Sequence, residues 1–237
     1  MGNEESKTQN EIKAAQNEQI FDTKELLNRY FADLPQEKAE KICALEDLYK
    51  FYNQKVNLIS RKDIANVGLK HILHSLAIAK VCSFKPNCNI MDVGTGGGLP
   101  GLPLAIMFPQ TEFMLVDSIG KKINVVKDIV RELNLQNVKA ENVRAEKVNG
   151  KFDFVVSRAV TALPDFVCWV WDKISPLQYH DLDNGILYLK GGDFDSELAE
   201  LRNGKINLYN IADFFKEEFF QTKKVVHIAK SQKKKHR

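Results

Sequence analysis

Residues 89–106, NIMDVGTGGGLPGLPLAI, run a short apolar stretch into a glycine cluster, then into two prolines and more apolar residues. The first residues read as a buried strand, and the glycines as a loop whose backbone can approach a ligand that a Cβ would block. The residues behind them read as a helix start, with N–H groups free to meet that ligand. A strand, a glycine turn and a helix in this order open a parallel sheet and mark a small-molecule site. The identity of the small molecule rests on the residues around the glycines.

Outward from this unit, short apolar runs alternate with helical periodicity. EFMLVDS (112–118), VKAENVRAE (138–146), FDFVVSRA (152–159) and NGILYLKGG (184–192) read as strands, with INLYNIADFF (206–215) and TKKVVHIAK (222–230) as two more. LPLAIMF (102–108), KKINVVKDIVRELNL (121–135) and LPDFVCWVWDKI (163–174) read as helices, the second turning Ile123, Val126, Ile129, Val130 and Leu133 inward. Alternating strands and helices with nearly continuous apolar strands predict a doubly wound, mostly parallel sheet covered on both faces. Upstream, two amphipathic helices carry Leu26, Leu27, Tyr30 and Phe31, then Ile42, Leu45, Leu48, Tyr49, Tyr52 and Val56. They divide near DLPQE, where Pro35 suits a helix start. A third helix is predicted over DIANVGLKHILHSLAIAKV (63–81). The expected organisation is a mobile arm over 1–20, a helical cap over 21–85 placed above the carboxyl edge of the sheet, a core over 86–230 and a basic tail over 231–237.

With 237 residues, 44% apolar and 27% charged, the chain can bury one large core. It has no run of about 18 uncharged apolar residues and no hydrophobic signal segment, so a cytosolic protein is expected. MGNEES fits a formal myristoylation pattern, although a frayed polar tail is the preferred reading. Cys43, Cys82, Cys88 and Cys168 lack the paired spacing of zinc sites and read as free thiols, with no metal expected. The net charge of +3 says little, but the end of the chain from Thr222 holds lysines and arginine without one acid. Such a tail suits phosphates or solubility equally.

Three ligands compete for the glycines. A phosphate-transfer loop needs Lys-Ser or Lys-Thr after its last glycine, and none follows here. A dinucleotide fingerprint can be threaded through Gly96, Gly98 and Gly101, but Pro100 and Pro103 crowd the helix start that a pyrophosphate would use. The third reading begins at Asp92, because DVGTGGG resembles the S-adenosylmethionine loop of class I methyltransferases. A sulfonium ligand carries no pyrophosphate and tolerates a proline at the helix start. Asp117, closing the next strand, can accept both ribose hydroxyls; a nicotinamide cofactor would use the same device, and the plain alternative is a helix cap.

Several stretches in order along the chain now carry a closer resemblance: YNQKVNLIS, KHILHSL, DVGTGGGLPGLPLAI, LVDSIGKK, VRAE and FDFVVSRA. Over roughly residues 40 to 230 the chain resembles the glucose-inhibited division protein B family of bacterial small-subunit rRNA methyltransferases. The resemblance implies the seven-stranded class I methyltransferase fold with an N-terminal helical cap. It also implies methyl transfer from S-adenosyl-L-methionine to N7 of a guanine in 16S rRNA. The resemblance places cofactor contacts on Gly94 and Leu99 in the loop, on Ala145 and Glu146 at the end of the third strand, and on Arg158, beside Asp92, Gly96, Gly98 and Asp117 from the loop and strand-end reading. Leu99 also fits a core position, and Glu146 an exposed loop acid. His74 departs from the family, which more often shows HILDSL, while His71 matches and could reach the substrate side.

Strand four ends in VSRAVTALPD, without the Asn/Asp-Pro-Pro-aromatic loop of enzymes that methylate exocyclic amines. N7 of guanine presents an in-plane lone pair, so its attack needs placement near about 3–3.5 Å rather than a general base. Arg158 is the expected catalytic residue. It cannot grip O6 and N7 together without blocking the nucleophile, so O6 alone, an RNA phosphate or the cofactor carboxylate are its candidate partners. RNA contacts are expected from Arg61, Lys62, Lys70, Lys121, Lys122, Arg144 and Lys190, with 16S rRNA or the small ribosomal subunit as partner, no membrane, and a monomeric state. A nicotinamide-dependent oxidoreductase and a non-catalytic S-adenosylmethionine-binding regulator are the competing functions.

Overall fold

A computed structural model describes residues 19–230; the terminal arm, the formal myristoylation site and the last lysines lie outside the described residues. The sheet has seven strands in the order β3-β2-β1-β4-β5-β7-β6. They are β1 (Asn89–Val93), β2 (Glu112–Asp117), β3 (Val138–Asn142), β4 (Phe154–Arg158), β5 (Gly185–Gly191), β6 (Lys205–Asn210) and β7 (Lys223–Ala229). β1 to β5 pair in parallel, and β7 runs antiparallel between β5 and β6. The expectation of a mostly parallel, doubly wound sheet holds.

The helices are α1 (Thr23–Tyr30), α2 (Gln36–Asn53), α3 (His74–Val81, entered through a π-helical turn over Gly68–Leu73), α4 (Gly101–Met107), α5 (Gly120–Glu132), α6 (Leu163–Val170) and α7 (Asp195–Glu200). The Asp22 side chain caps α1 by accepting from the Glu25 N–H at 2.9 Å. Pro35 directly precedes α2, which buries Ile42, Leu45 and Tyr49 at helical spacing.

Alternation along each strand sends side chains to two cores. Ile90, Leu115, Phe154, Val156 and Leu187 face α1 to α5, while Met91, Val116, Val155, Ile186 and Tyr188 face α6 and its neighbours. Of the N-terminal helices α3 therefore lies on one face of the sheet, against β5, β7 and α4, while α1 packs on α2 and the π-helical turn, and α2 packs outside α4 and α5. They meet the carboxyl edge through a few side chains, Leu58 and Tyr49 against Gly97 among them. A cap standing over the edge was expected; apolar stripes this wide bury more surface on a sheet face than on an edge.

The third strand is shorter than VKAENVRAE suggested. It ends at Asn142, and Ala145 and Glu146 sit on a separate 3-10 turn over Ala145–Lys147. The short polar helix DSELAE had no apolar stripe to reveal it.

Candidate active site

Register brings the functional positions to one level. Asp92 pairs with Val156 across β1 and β4, Val93 with Val116 across β1 and β2, and Asp117 with Asn142 across β2 and β3. One residue beyond β1, Gly94 stands beside Asp117 on one side and Arg158 on the other. Ser157 Oγ donates to the Val93 carbonyl at 2.8 Å and fixes that edge. β2 and β4 flank β1, and the chain leaves β1 toward β2 and reaches β4 later, so the crevice lies at the switch point of the sheet, where open α/β sheets hold ligands.

The glycine loop is folded by its own backbone and by two acids. Gly94, Gly96 and Gly98 have φ of +66°, +57° and +94°, conformations that side-chain-bearing residues rarely adopt. Gly94 N–H donates to the Val116 carbonyl at 2.9 Å. Asp92 is fully buried and accepts at Oδ2 from Thr95 Oγ1 at 2.5 Å and from Gly101 N–H at 2.8 Å. Asp117 accepts at Oδ2 from Gly96 N–H at 2.9 Å and at Oδ1 from Ile119 N–H at 2.8 Å.

A cavity of about 550 Å³ opens in front of this loop, within the usual range of small-molecule pockets. Gly94, Gly96, Leu99, Asp117, Ala145, Glu146 and Arg158 line it, and Lys122 and Arg144 stand on its wall. Residues singled out in separate stretches thus converge. A Cβ on Gly96 would meet nothing within 4 Å, so the loop leaves open space at that point. Asp117 has about four acceptor sites and uses two, which leaves two for a pair of ribose hydroxyls. Ile119, Val143, Val160 and Trp169 add apolar wall. Sequence reading missed them; Ile119, 41% exposed two residues after Asp117, carried the one available signal, a large apolar side chain beside a polar turn.

Five expected site residues lie elsewhere. Asp92 sits behind the loop and closes it, since both bonds of its Oδ2 run to the loop and to α4. Gly98 turns the chain into α4, where a Cβ would strike the Leu102 side chain. Lys190 gives its ammonium to Glu197 at 2.5 Å, and Glu197 in turn accepts from the Leu163 N–H at 2.7 Å to cap α6. Lys121 is exposed on α5, outside the cavity wall. His71 is largely buried in the N-terminal layer, with Nδ1 unpartnered, and burial together with the nearby Arg158 charge pushes its pKa down to about 3. It stays neutral near pH 7. Lys70, another RNA candidate, pairs with Asp63 at 3.1 Å.

Arg158 is half-buried, and its Nη1 donates to the Lys70 carbonyl at 3.5 Å. Among the described residues no carboxylate pairs with it, so the surface salt bridge that offered a plain explanation for Arg158 is not formed. Behind it, Ala159 adopts φ +50°, a left-handed conformation disfavoured by its Cβ. The loop that follows is tied by the Tyr188 hydroxyl, which accepts from Val160 N–H at 2.8 Å and Thr161 N–H at 3.3 Å and donates to the Thr161 carbonyl at 2.9 Å. Tyr188→Phe leaves these groups unpaired and is expected to lower stability by about 1–3 kcal/mol in denaturant titrations.

Burial raises the Asp92 pKa to about 7, against the pull of Thr95, Gly101 and Arg158. An unfolded Asp releases its proton at about 3.9. Between those values the folded chain holds the extra proton, so stability falls as pH rises from about 4 to about 7. Asp92→Asn keeps an acceptor for Thr95 and Gly101 and is expected to flatten that part of the profile in thermal melts. A slope as steep as wild type would mean that Asp92 is not its source.

The helix start also discriminates between ligands. Gly101 N–H is taken by Asp92, Leu102 N–H donates to the Gly98 carbonyl at 2.7 Å, and Pro103 has no N–H. A pyrophosphate would find no free donor at the start of α4, which disfavours the dinucleotide reading. A ligand held by loop backbone, a ribose acceptor and apolar walls fits the residues present.

Known proteins agree with this geometry. The profile of the family described as rRNA small subunit methyltransferase G matches residues 38–227. The ribosomal RNA small subunit methyltransferase G of Flavobacterium psychrophilum is 55% identical over 200 residues, 84% of this chain and 95% of that one. The protein of the same name from Bacteroides thetaiotaomicron is 48% identical over 203 residues, 86% of this chain and 98% of that one. Among solved structures, TrmN from Thermus thermophilus aligns with a TM-score of 0.51 at 13% identity, covering 65% of this chain and 48% of that one. A chain of the fibrillarin/Nop5p complex aligns at 0.50 and 13%, covering 65% and 79%. These two share the fold. Sequence, cavity and relatives converge on one assignment: the chain belongs to the small-subunit rRNA methyltransferase G family.

Proposed function

We propose that the protein transfers a methyl group from S-adenosylmethionine to N7 of a guanine in 16S rRNA. The observation that carries this reading is the single cavity joining the glycine loop, Asp117, Ala145, Glu146 and Arg158, in a chain of this family. S-adenosylmethionine supplies the methyl group on a sulfonium, and it fits a loop whose helix start offers no pyrophosphate donors. Asp117 would take the ribose hydroxyls. The turn at Ala145 and Glu146 would meet the adenine edge, with Ile119 and Val143 on its faces. Gly94 and Gly96 would let the backbone approach the amino-acid end, with Leu99 as apolar wall.

The chain's task toward the guanine is placement. N7 uses a lone pair and loses no proton, so no side chain has to act as base, in keeping with a neutral, buried His71. Arg158 would hold O6 or a neighbouring phosphate and leave N7 open in line with the methyl group. Leu99, Val160 and Trp169 exclude water from the reacting atoms. Lys122 and Arg144 on the cavity wall, with Lys121 exposed beside Lys122 and Arg61 and Lys62 exposed shortly after the lining residue Leu58, would meet RNA phosphates. The proposed enzyme works on ribosomal particles as a cytoplasmic monomer; among the described residues no helix is long and apolar enough to cross a membrane.

The test is incorporation of labelled methyl groups into small subunits lacking the modification, followed by nucleoside analysis. One new 7-methylguanine in 16S rRNA is expected. A methyl group on another base atom, or none, would refute the proposal.

A further inference from the structure

The opposite edge of the sheet holds a second group of chemically active side chains. Cys88 immediately precedes β1, Asp153 immediately precedes β4, and His180 lies in the segment leading to β5. One ligand atom from each lies within 4.8 Å of the other two. Cys88 is fully buried, Asp153 is 5% exposed, and the His180 side chain is 0% exposed.

His180 has no hydrogen-bond partner at either ring nitrogen among the described residues. Its Nε2 stands 3.7 Å from Asp153 Oδ2, beyond hydrogen-bond reach. Asn184 donates through Nδ2 to Asp153 Oδ1 at 3.2 Å, yet leaves its own Oδ1 unpaired. A buried polar group without a partner costs about 1–3 kcal/mol. A buried imidazole with both nitrogens unpartnered beside a carboxylate calls for an explanation.

The donor set supplies one. A thiolate, an imidazole and a carboxylate suit zinc-class ions and disfavour magnesium and calcium, which take oxygen ligands. Nitrogen and oxygen bound to one tetrahedral zinc stand about 3.3–3.4 Å apart and sulfur about 3.5–3.6 Å from either, so the His180 to Asp153 pair must close by a few tenths of an ångström and the widest spacing in the cluster by about 1.5 Å at most. Asn184 on Oδ1 and the Asn89 N–H on Oδ2 at 2.9 Å orient the Asp153 carboxylate; the Tyr179 hydroxyl, which also donates to Oδ2 at 2.8 Å, would give up that bond when Oδ2 takes the metal.

We propose that Cys88, Asp153 and His180 bind one zinc-class divalent ion, with water as fourth ligand, tying together the chain entering β1, β4 and β5. On binding, the Cys88 thiol gives its proton to solvent and its sulfur to the metal. The ion sits away from the methyl-transfer cavity and acts on stability. This goes beyond the expectation of free thiols and no metal.

The experiment uses the full chain with Cys43→Ser, Cys82→Ser and Cys168→Ser, which leaves Cys88 as the one thiol. The protein is stripped with a chelator, then titrated with zinc against a chromophoric competitor and, separately, with cobalt. One equivalent of zinc, a higher melting temperature with zinc, and a thiolate-to-cobalt charge-transfer band are expected. Cys88→Ser should abolish the band, and both Cys88→Ser and His180→Gln should weaken zinc binding by about tenfold or more. Binding of S-adenosylhomocysteine reports whether each variant folds, and His180→Gln decides the matter if Cys88→Ser does not. No stoichiometric zinc, or an affinity unchanged by His180→Gln, would overturn the proposal.

Discussion

Arg158→Ala is expected to lower kcat/KM for methyl transfer to small ribosomal subunits about a hundredfold or more, equivalent to about 2.7 kcal/mol of transition-state stabilisation. The guanidinium ends β4 on the cavity wall, and no carboxylate among the described residues neutralises it. Its hydrogen bond to the Lys70 carbonyl is long, at 3.5 Å, and uses one of five N–H donors of a side chain that lines the cavity. The fold should survive, since the strand is held by its β1 and β5 partners and by Ser157. Circular dichroism and S-adenosylhomocysteine affinity separate the two possible roles of Arg158. A normal affinity with lost turnover assigns it to the RNA, and a parallel loss of affinity assigns it to the cofactor. Near-normal turnover would remove it from the reaction altogether.

What sequence could and could not reveal follows from the range of the forces involved. Strand and helix identities are local: Ile123, Val126 and Ile129 repeat at helical spacing, and they are buried as that spacing requires. The level of Asp117 beside Gly94 was also legible, because an acid at the end of the strand following a glycine loop has few places to go in a parallel sheet. Long-range pairings left no such mark. Lys190 read as a free cation because its partner Glu197 comes from a six-residue polar helix with no apolar stripe. Asp92 and Asp117 look alike in sequence and by register project to the same side of the sheet, yet Asp92, paired with Leu115, lies two levels deeper under the loop, while Asp117 stands at the end of β2 on the cavity wall. The Tyr188 hydroxyl and the left-handed Ala159, which together shape the chain after Arg158, depend on a loop conformation that no periodicity encodes.

Gly96→Ala should separate the fold from the cofactor site more cleanly than any change at the charged residues. At φ +57° an alanine pays about 1–2 kcal/mol for its Cβ, which at this chain length corresponds to a fall in melting temperature of a few degrees. No protein atom lies within 4 Å of that Cβ, and the N–H that Asp117 accepts is retained, so the rest of the loop has no reason to move. The added methyl group enters open space at a residue that lines the cavity, as Asp117, the proposed ribose acceptor, also does. Isothermal titration is therefore expected to show S-adenosylhomocysteine affinity reduced about tenfold or more, well beyond the stability loss, because a close-packed contact cannot absorb an extra methyl without displacement. Gly94→Ala behaves differently: its Cβ falls on Val160 Cγ2, so the loop after β4 must shift and stability should drop further. If Gly96→Ala lowers the melting temperature yet binds S-adenosylhomocysteine as wild type does, the ligand does not sit against this loop, and the roles given to Asp117 and Arg158 fall with it.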